Sequence, residues 1–298
     1  MVKQKITDLL KTGKILLSDG AWGTFLYQKG LKAGECPDEW SLIHYDAVKD
    51  IAQSYIDAGA DMVQTNSFGA SRIKLQHFGL QDKVFEINEA AARASREAAG
   101  NNRHVIASIG PTGKMLLMGD VTKEELYDAF REQAMALEKG GADAVCIETM
   151  SDADEAVLAI KAAKDYTGLE VIATFTFEKT QQGEYRTMMG LSPSETIRAA
   201  LDAGADIVGT NCGNGMERMI DIVKEIHTEF PDALILVQAN AGLPVLVDGV
   251  SVFPETPEMM AACIPSLIEA GVNIVGGCCG TTPLHIKAMK KAISTHFC

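Results

Sequence analysis

The sequence predicts a single (β/α)8 barrel, and three observations carry that prediction. One phrase recurs along the chain: Ala58-Gly59-Ala60-Asp61, Gly140-Gly141-Ala142-Asp143, Ala203-Gly204-Ala205-Asp206 and, weakened, Ala270-Gly271-Val272-Asn273. Each copy follows an amphipathic, alanine-rich stretch and precedes a short apolar run, the pattern of a helix ended by glycine, a tight turn and a buried strand. Eight apolar runs begin near Ile15, Met62, His104, Ala144, Val171, Ile207, Leu234 and Ile274, spaced so that one helix fits between neighbours. Across 298 residues no linker, low-complexity run or charge block interrupts the alternation, so residues 1–298 read as one domain. A doubly wound open sheet shares this periodicity; eight units in an unbroken series favour the closed barrel.

Taken in order, the elements place their chemistry at one rim. The first predicted strand leads into Asp19-Gly20-Ala21-Trp22-Gly23-Thr24. That loop reads equally as a tight turn or as a set of backbone N–H groups for a small carboxylate, with Asp19 facing an ammonium group. The second strand ends at Thr65-Asn66, and after the third, Thr122 with Glu125 reads as a capping box that starts a helix. The fourth runs through Ala144-Val145-Cys146-Ile147 to Glu148-Thr149. A glutamate at the end of a buried strand, with no basic neighbour in sequence, points to function more than to structure. Ser192-Pro193 with Glu195 marks the helix after the fifth strand. The sixth strand ends at Asn211-Cys212, the seventh at Asn240 and the eighth at Cys278-Cys279, while Thr256-Pro257 and Thr282-Pro283 open the last helices. In a (β/α)8 barrel these strand ends share the functional face, and the Gly-Ala-Asp turns lie on the opposite one.

Cys278 and Cys279 stand between glycines in Gly276-Gly277-Cys278-Cys279-Gly280. Adjacent cysteines are poor disulfide partners because the ring they would close is strained. Successive strand residues point to opposite faces, so both can face one centre only where the strand has given way to a loop, which the glycines permit. With Cys212 on the same rim they offer three thiolates, a donor set that suits zinc with one position left open. Cys36, Cys146, Cys263 and Cys298 lack such a setting and read as core or surface thiols, and His285, in the first turn of a helix, reads as structural.

Composition narrows the partners. A net charge of −13 argues against nucleic acid or an anionic membrane, since both need a basic footprint. No apolar run approaches the length of a membrane span, and the stretch from Met1 to Asp8 lacks a signal-peptide core. Seven cysteines, an odd number in a chain of this size, read as reduced thiols of a cytoplasmic protein.

These motifs together resemble the homocysteine S-methyltransferases, the family that includes the homocysteine-binding module of cobalamin-dependent methionine synthase and betaine–homocysteine methyltransferase. The resemblance rests on Asp19 to Thr24, Gln64-Thr65-Asn66-Ser67-Phe68, Glu148-Thr149, Gly209-Thr210-Asn211-Cys212-Gly213, Asn240-Ala241-Gly242 and Gly276 to Gly280, in family order over nearly the whole chain. It implies a (β/α)8 barrel with zinc on Cys212, Cys278 and Cys279, and it suggests Asn240 as the fourth ligand when substrate is absent. It further implies Asp19 and Glu148 near the substrate amino group, and Gly23 and Thr24 in the loop that holds its carboxylate. The activity implied is methyl transfer to the thiol of homocysteine, giving methionine, with no general base assigned. The donor stays open between methylcobalamin on a corrinoid partner protein, a betaine and S-methylmethionine. Another thiol or selenol acceptor, or a barrel with a structural zinc and a binding role, are the competing readings. The sequence departs from the cobalamin-dependent members at Trp22, where they usually carry a smaller methionine, and Gly213-Asn214-Gly215-Met216 lacks the proline common there.

Overall fold

The computed structural model describes residues 4–247 and 250–296. Eight parallel strands form its centre: β1 (Leu16–Leu17), β2 (Met62–Val63), β3 (His104–Ile109), β4 (Ala144–Met150), β5 (Glu170–Phe175), β6 (Ile207–Asn211), β7 (Ile235–Ala239) and β8 (Ile274–Gly277). Hydrogen-bonded neighbours run in the order β1-β8-β7-β6-β5-β4-β3-β2, so β8 pairs with the first strand as well as the seventh. That cyclic order separates the barrel from a doubly wound sheet. Each predicted strand start falls within one residue of the observed one. Two short hairpins, Glu178–Lys179 with Tyr185–Arg186 and Val245–Val247 with Val250–Val252, lie outside the eight-strand reading.

The recurring Gly-Ala-Asp phrase has a mechanical role. On every even strand, the side chain at its start clasps the odd strand before it. Leu17 N donates to Asp61 Oδ2 at 3.0 Å, Val105 N to Asp143 Oδ2 at 2.7 Å, Val171 N to Asp206 Oδ2 at 2.7 Å, and Ile235 N to Asn273 Oδ1 at 2.7 Å. The backbone returns the bond in each case, as from Asp61 N to Leu17 O at 2.7 Å. Asn273 can stand in for aspartate because an amide oxygen accepts the same N–H. At the seam between β1 and β2 this clasp joins the ends of the sheet, and Lys290 from the last helix pairs with Asp61 at 2.9 Å across it. Arg103 also pairs with Asp61, while Arg96 and Lys164 bind Asp143 and Asp206.

The strands alternate strictly. Leu16, Met62, Ile106, Cys146, Ile172, Ile207, Leu236 and Ile274, one from each strand, pack inside the barrel, and Ile6 and Leu10 of the short helix Ile6–Leu10 join them. Glu170 holds that helix by accepting from Ile6 N at 2.7 Å and Thr7 N at 3.0 Å. The next residues along the strands face the helices and build the larger outer core, with Leu17, Ile147, Ala173, Val208, Val237 and Val275 among them. One step further on, the inward positions turn polar: Ser18, Gln64, Ser108, Glu148, Thr174 and Gln238, with Asn211 above Gly209, all buried. Apolar burial fills the lower barrel, and the polar layer floors the upper rim.

The predicted helix starts are present. Thr122 with Glu125 and Ser192 with Glu195 form complete capping boxes, and Thr256 accepts from Met259 N. His285 is structural, bridging the Thr282 hydroxyl at 3.0 Å and the Glu255 carbonyl at 3.0 Å. Cys146 and Cys36 are buried and Cys263 is partly buried; Cys298 lies outside the described residues. No helix among the described residues is long and apolar enough to cross a membrane.

Candidate metal and substrate site

The end of β7 gathers the three cysteines. Cys212 N donates to Gln238 O at 3.0 Å and Cys278 N to Ala239 O at 2.7 Å. Cys279 N donates to Asn240 Oδ1 at 3.1 Å, and Ala241 N donates to Cys279 O at 2.9 Å. The segment Gln238 to Ala241 therefore holds the Cys212 loop on one side and the Cys278-Cys279 loop on the other. Cys212 itself takes φ 58°, in the left-handed region that costs a non-glycine residue free energy, and Gly213 follows at φ 70°. Two such residues in succession turn the chain sharply, so the Cys212 sulfur faces the β8 loop. At the other end Gly277 packs so tightly on Thr281 that a side chain there would collide with it.

The three sulfur atoms lie within 4.8 Å of one another, with Cys212 Sγ and Cys279 Sγ 3.9 Å apart, and all three thiols are free. Ligand sulfurs around a tetrahedral zinc stand about 3.8 Å apart, given a zinc–sulfur bond of about 2.3 Å. The donor set and its spacing therefore fit zinc. Electrostatics adds a reason. Hydrogen bonds from Cys278 and Cys279 hold the Cys212 thiol far below the ordinary range, at about 3. Donating those hydrogen bonds to Cys212 pushes Cys279 up to about 12 and Cys278 well above its usual value, with burial and the Cys212 charge adding to both. One thiolate forms easily and the other two need a cation.

Glu148 sits at a β-bulge, where the register between β4 and β5 shifts between Ile147 and Met150. Its neighbour Thr149 is, among the described residues, the other non-glycine residue at positive φ, 60°. Glu148 reaches the polar layer by the period of its strand, following Ala144 and Cys146 inward, and the bulge seats Thr149 beside it. Asn211 fixes both residues: its Oδ1 accepts from Thr149 N at 2.7 Å, and its Nδ2 donates to Thr149 Oγ1 at 2.8 Å and Glu148 Oε2 at 3.2 Å. Gln64 Nε2 donates to Glu148 Oε1 at 2.8 Å, and Ser108 Oγ donates to the same oxygen. These three partners are neutral, so burial dominates and raises the Glu148 carboxyl to about 7.

A cavity of about 410 Å³ opens above this layer, lined by Cys212, Cys278, Cys279, Glu148, Trp22 and Thr24 among others. Gly23 and Thr24 line it from the first turn of the helix Gly23–Gln28, where backbone N–H groups have no acceptor within the helix. Asp19 lies beneath the loop that lines the cavity. It is fully buried and is not among the described residues that line the cavity. Its carboxylate accepts from Trp22 Nε1 at 2.9 Å, Gln64 N at 2.8 Å and Ser18 Oγ at 3.2 Å, and burial raises it to about 6. Asp19 thus orients residues that line the cavity. Asn240, whose Oδ1 engages Cys279 N, sits beside the cysteines.

Sequence reasoning gave no role to Gln64, Ser108 and Gln238 on the cavity floor, or to Asp38, Lys74 and Phe78 in its wall. The floor residues carry a readable signal, since each stands two positions beyond an inward apolar residue on its strand. The wall residues carry none: Asp38 comes from a turn, and Lys74 and Phe78 come from the short helix Arg72–Leu75 and the single helical turn Gln76–Phe78 after it.

A family model described as homocysteine S-methyltransferase matches residues 16–293. The methionine synthases of Mycobacterium leprae and Mycobacterium tuberculosis are 31% and 30% identical to this chain over 97% of it. The chain spans about a quarter of the length of these curated relatives, 25% in each case. Among solved structures, the metallated form of the homocysteine methyltransferase MmuM from Escherichia coli superimposes with a TM-score of 0.78 at 21% identity, covering 95% of this chain and 98% of that one. A methyltransferase from Methanosarcina mazei follows at a TM-score of 0.62 and 12% identity, covering 98% of each chain. Both structural likenesses speak to the fold.

Proposed function

Because the chain belongs to the homocysteine S-methyltransferase family, we propose that it transfers a methyl group to the thiol of homocysteine, giving methionine. One observation supports this reading above the others: three cysteine sulfurs and a buried glutamate with neutral partners face one cavity at the strand ends. The whole of residues 1–298 acts as the homocysteine-binding barrel, working in the cytoplasm.

Cys212, Cys278 and Cys279 would hold zinc, which when bound supplies a Lewis acid that favours the ionised thiol at the position the cysteines leave open. A free alkyl thiol with a pKa near about 8.5 is only a few per cent ionised at neutral pH, which is why the activation matters. Glu148, ionised, accepts from the substrate ammonium group. Backbone N–H groups at Gly23 and Thr24 receive its carboxylate. Asp19 contributes by holding Trp22 and Gln64 in place. Asn240 accepts from Cys279 N and so steadies that loop, and it would serve as the fourth ligand when substrate is away. With both ends of the amino acid fixed, the sulfur lone pair forms the new sulfur–carbon bond while the bond from methyl to donor breaks, its electrons leaving with the donor. No side chain of this chain need act as a general base.

The donor we favour is a methylcorrinoid carried by a partner protein, because the curated relatives are methionine synthases of which this chain spans a quarter. Betaine and S-methylmethionine are the alternatives. Pure protein with homocysteine should form methionine from methylcobalamin and not from either onium compound. Turnover with an onium donor alone would overturn the donor assignment, and methionine formation with none of the three would overturn the activity.

A further inference from the structure

Ala21 lies in the loop between β1 and the helix Gly23–Gln28, and both of its backbone polar groups are held by side chains from elsewhere in the chain. Its N–H donates to Thr281 Oγ1 at 3.1 Å, and its carbonyl accepts from the Tyr55 hydroxyl at 2.6 Å. Thr281 Oγ1 in turn donates to Cys278 O at 2.8 Å. An N–H can only donate and a carbonyl can only accept, so the one hydroxyl proton goes to Cys278 and the oxygen faces Ala21. The ladder between β1 and β8 continues as far as Gly277 N, which donates to Asp19 O at 2.8 Å, and beyond it the Thr281 hydroxyl carries the connection on. Gly20 fits between the two side chains: a Cβ there would stand 2.7 Å from Thr281 Oγ1 and 2.9 Å from Tyr55 Cε1. Thr281 and Tyr55 are both buried and are not among the described residues that line the cavity, whereas Ala21 and Cys278 are.

We propose that Thr281, assisted by Tyr55, is a positioning residue for methyl transfer: it sets the distance from the cysteine cluster to the Gly23 and Thr24 N–H groups that receive the substrate carboxylate. This rests on the homocysteine reading above. A short alkyl chain links sulfur to carboxylate in that substrate, so both ends are held together only if the two loops keep one spacing. The Thr281 hydroxyl fixes it by accepting from one loop and donating to the other, and Tyr55 grips the first loop from its far side. Valine keeps the shape of threonine but sets a methyl where the hydroxyl was, and a methyl keeps its neighbours at about 3.5 Å or more. Ala21 N, now at 3.1 Å, would move outward by a few tenths of an ångström. Misplacement by about 1 Å costs about a hundredfold, so this shift is worth roughly fivefold to tenfold. Thr281 N also donates to Cys278 O, at 3.1 Å, so the turn that carries the cysteines keeps a bond that the substitution does not touch.

The test compares homocysteine with 3-aminopropane-1-thiol, which keeps the thiol and amino group but lacks the carboxylate, by calorimetric binding to the metal-loaded chain. Thr281→Val should weaken homocysteine by roughly fivefold to tenfold, leave 3-aminopropane-1-thiol within about twofold, and retain its zinc by metal analysis. Thr281→Ser restores the hydroxyl and should match wild type. Tyr55→Phe frees the Ala21 carbonyl while keeping the ring, and should weaken homocysteine selectively in the same direction, which carries the test if the valine variant does not fold. Equal weakening of both thiols, no weakening of either, loss of zinc from Thr281→Val, or a serine variant as weak as valine would overturn the assignment. So would wild-type protein that binds the two thiols alike. Wild-type protein that binds neither thiol would instead sink the homocysteine reading, and this one with it.

Discussion

Replacing Glu148 with glutamine should make the metal-free protein more stable at high pH while abolishing tight homocysteine binding. Burial raises this carboxyl from 4.5 to about 7, with only neutral partners to offset the cost. Between those two values the folded state holds a proton that the unfolded chain has released. Stability therefore falls as pH rises from 4.5 through 7, and above 7 the full penalty is present. A shift of this size corresponds to about 3 kcal/mol. Glutamine removes the penalty but turns an amide N–H₂ towards Asn211 Nδ2, whose orientation is fixed by Thr149 N; that mismatch costs about 1 kcal/mol. The net gain is about 2 kcal/mol at pH 8, fading to nothing near pH 5, where wild type is protonated. Urea unfolding of both proteins at pH 5 and pH 8 after chelation measures it, with homocysteine binding followed on metal-loaded samples. A variant less stable than wild type at pH 8, or one that binds homocysteine normally, would refute the account of Glu148 as a charge held for the substrate.

Three other expectations concern the frame. Asp206→Ala leaves Val171 N without its acceptor and Lys164 without its partner, and urea unfolding should show a loss of about 2 kcal/mol; Asp206→Asn, which copies the arrangement at Asn273, should lose less than about 1 kcal/mol. Ser192→Ala removes one complete capping box and should cost about 1 kcal/mol in the same assay. Glu170→Ala frees the N–H groups of Ile6 and Thr7, so hydrogen exchange across residues 6–10 should quicken while the strands stay protected.

Much of this architecture was legible because it obeys simple periods. Glycine-ended helices marked the four even strands, apolar runs marked the other four, and cap residues located four of the helices that follow. The Gly-Ala-Asp repeat signalled a turn, yet the reason for its aspartate, an acceptor for the neighbouring strand, is a tertiary contact that local pattern does not contain. The same holds for Asp19. Its place in a glycine-rich loop suggested a carboxylate facing an ammonium group, and its hydrogen bonds from Trp22, Gln64 and Ser18 are contacts that this reading did not contain. Gln64, Ser108 and Gln238 were within reach of the period-two rule, since each continues the inward series of Met62, Ile106 and Leu236. The helix Ile6–Leu10 is too short for a periodic signal, and its place at the barrel floor depends on Glu170 far along the chain.

The central claim is that three cysteines hold a zinc ion whose remaining position receives the substrate sulfur. X-ray absorption at the zinc edge tests it most directly, recorded on the purified protein with and without homocysteine. The account predicts three sulfur neighbours and one nitrogen or oxygen neighbour alone, and four sulfur neighbours once homocysteine is added. A shell that already holds four sulfurs, one that ignores homocysteine, or protein that binds no zinc through Cys212, Cys278 and Cys279 would contradict it.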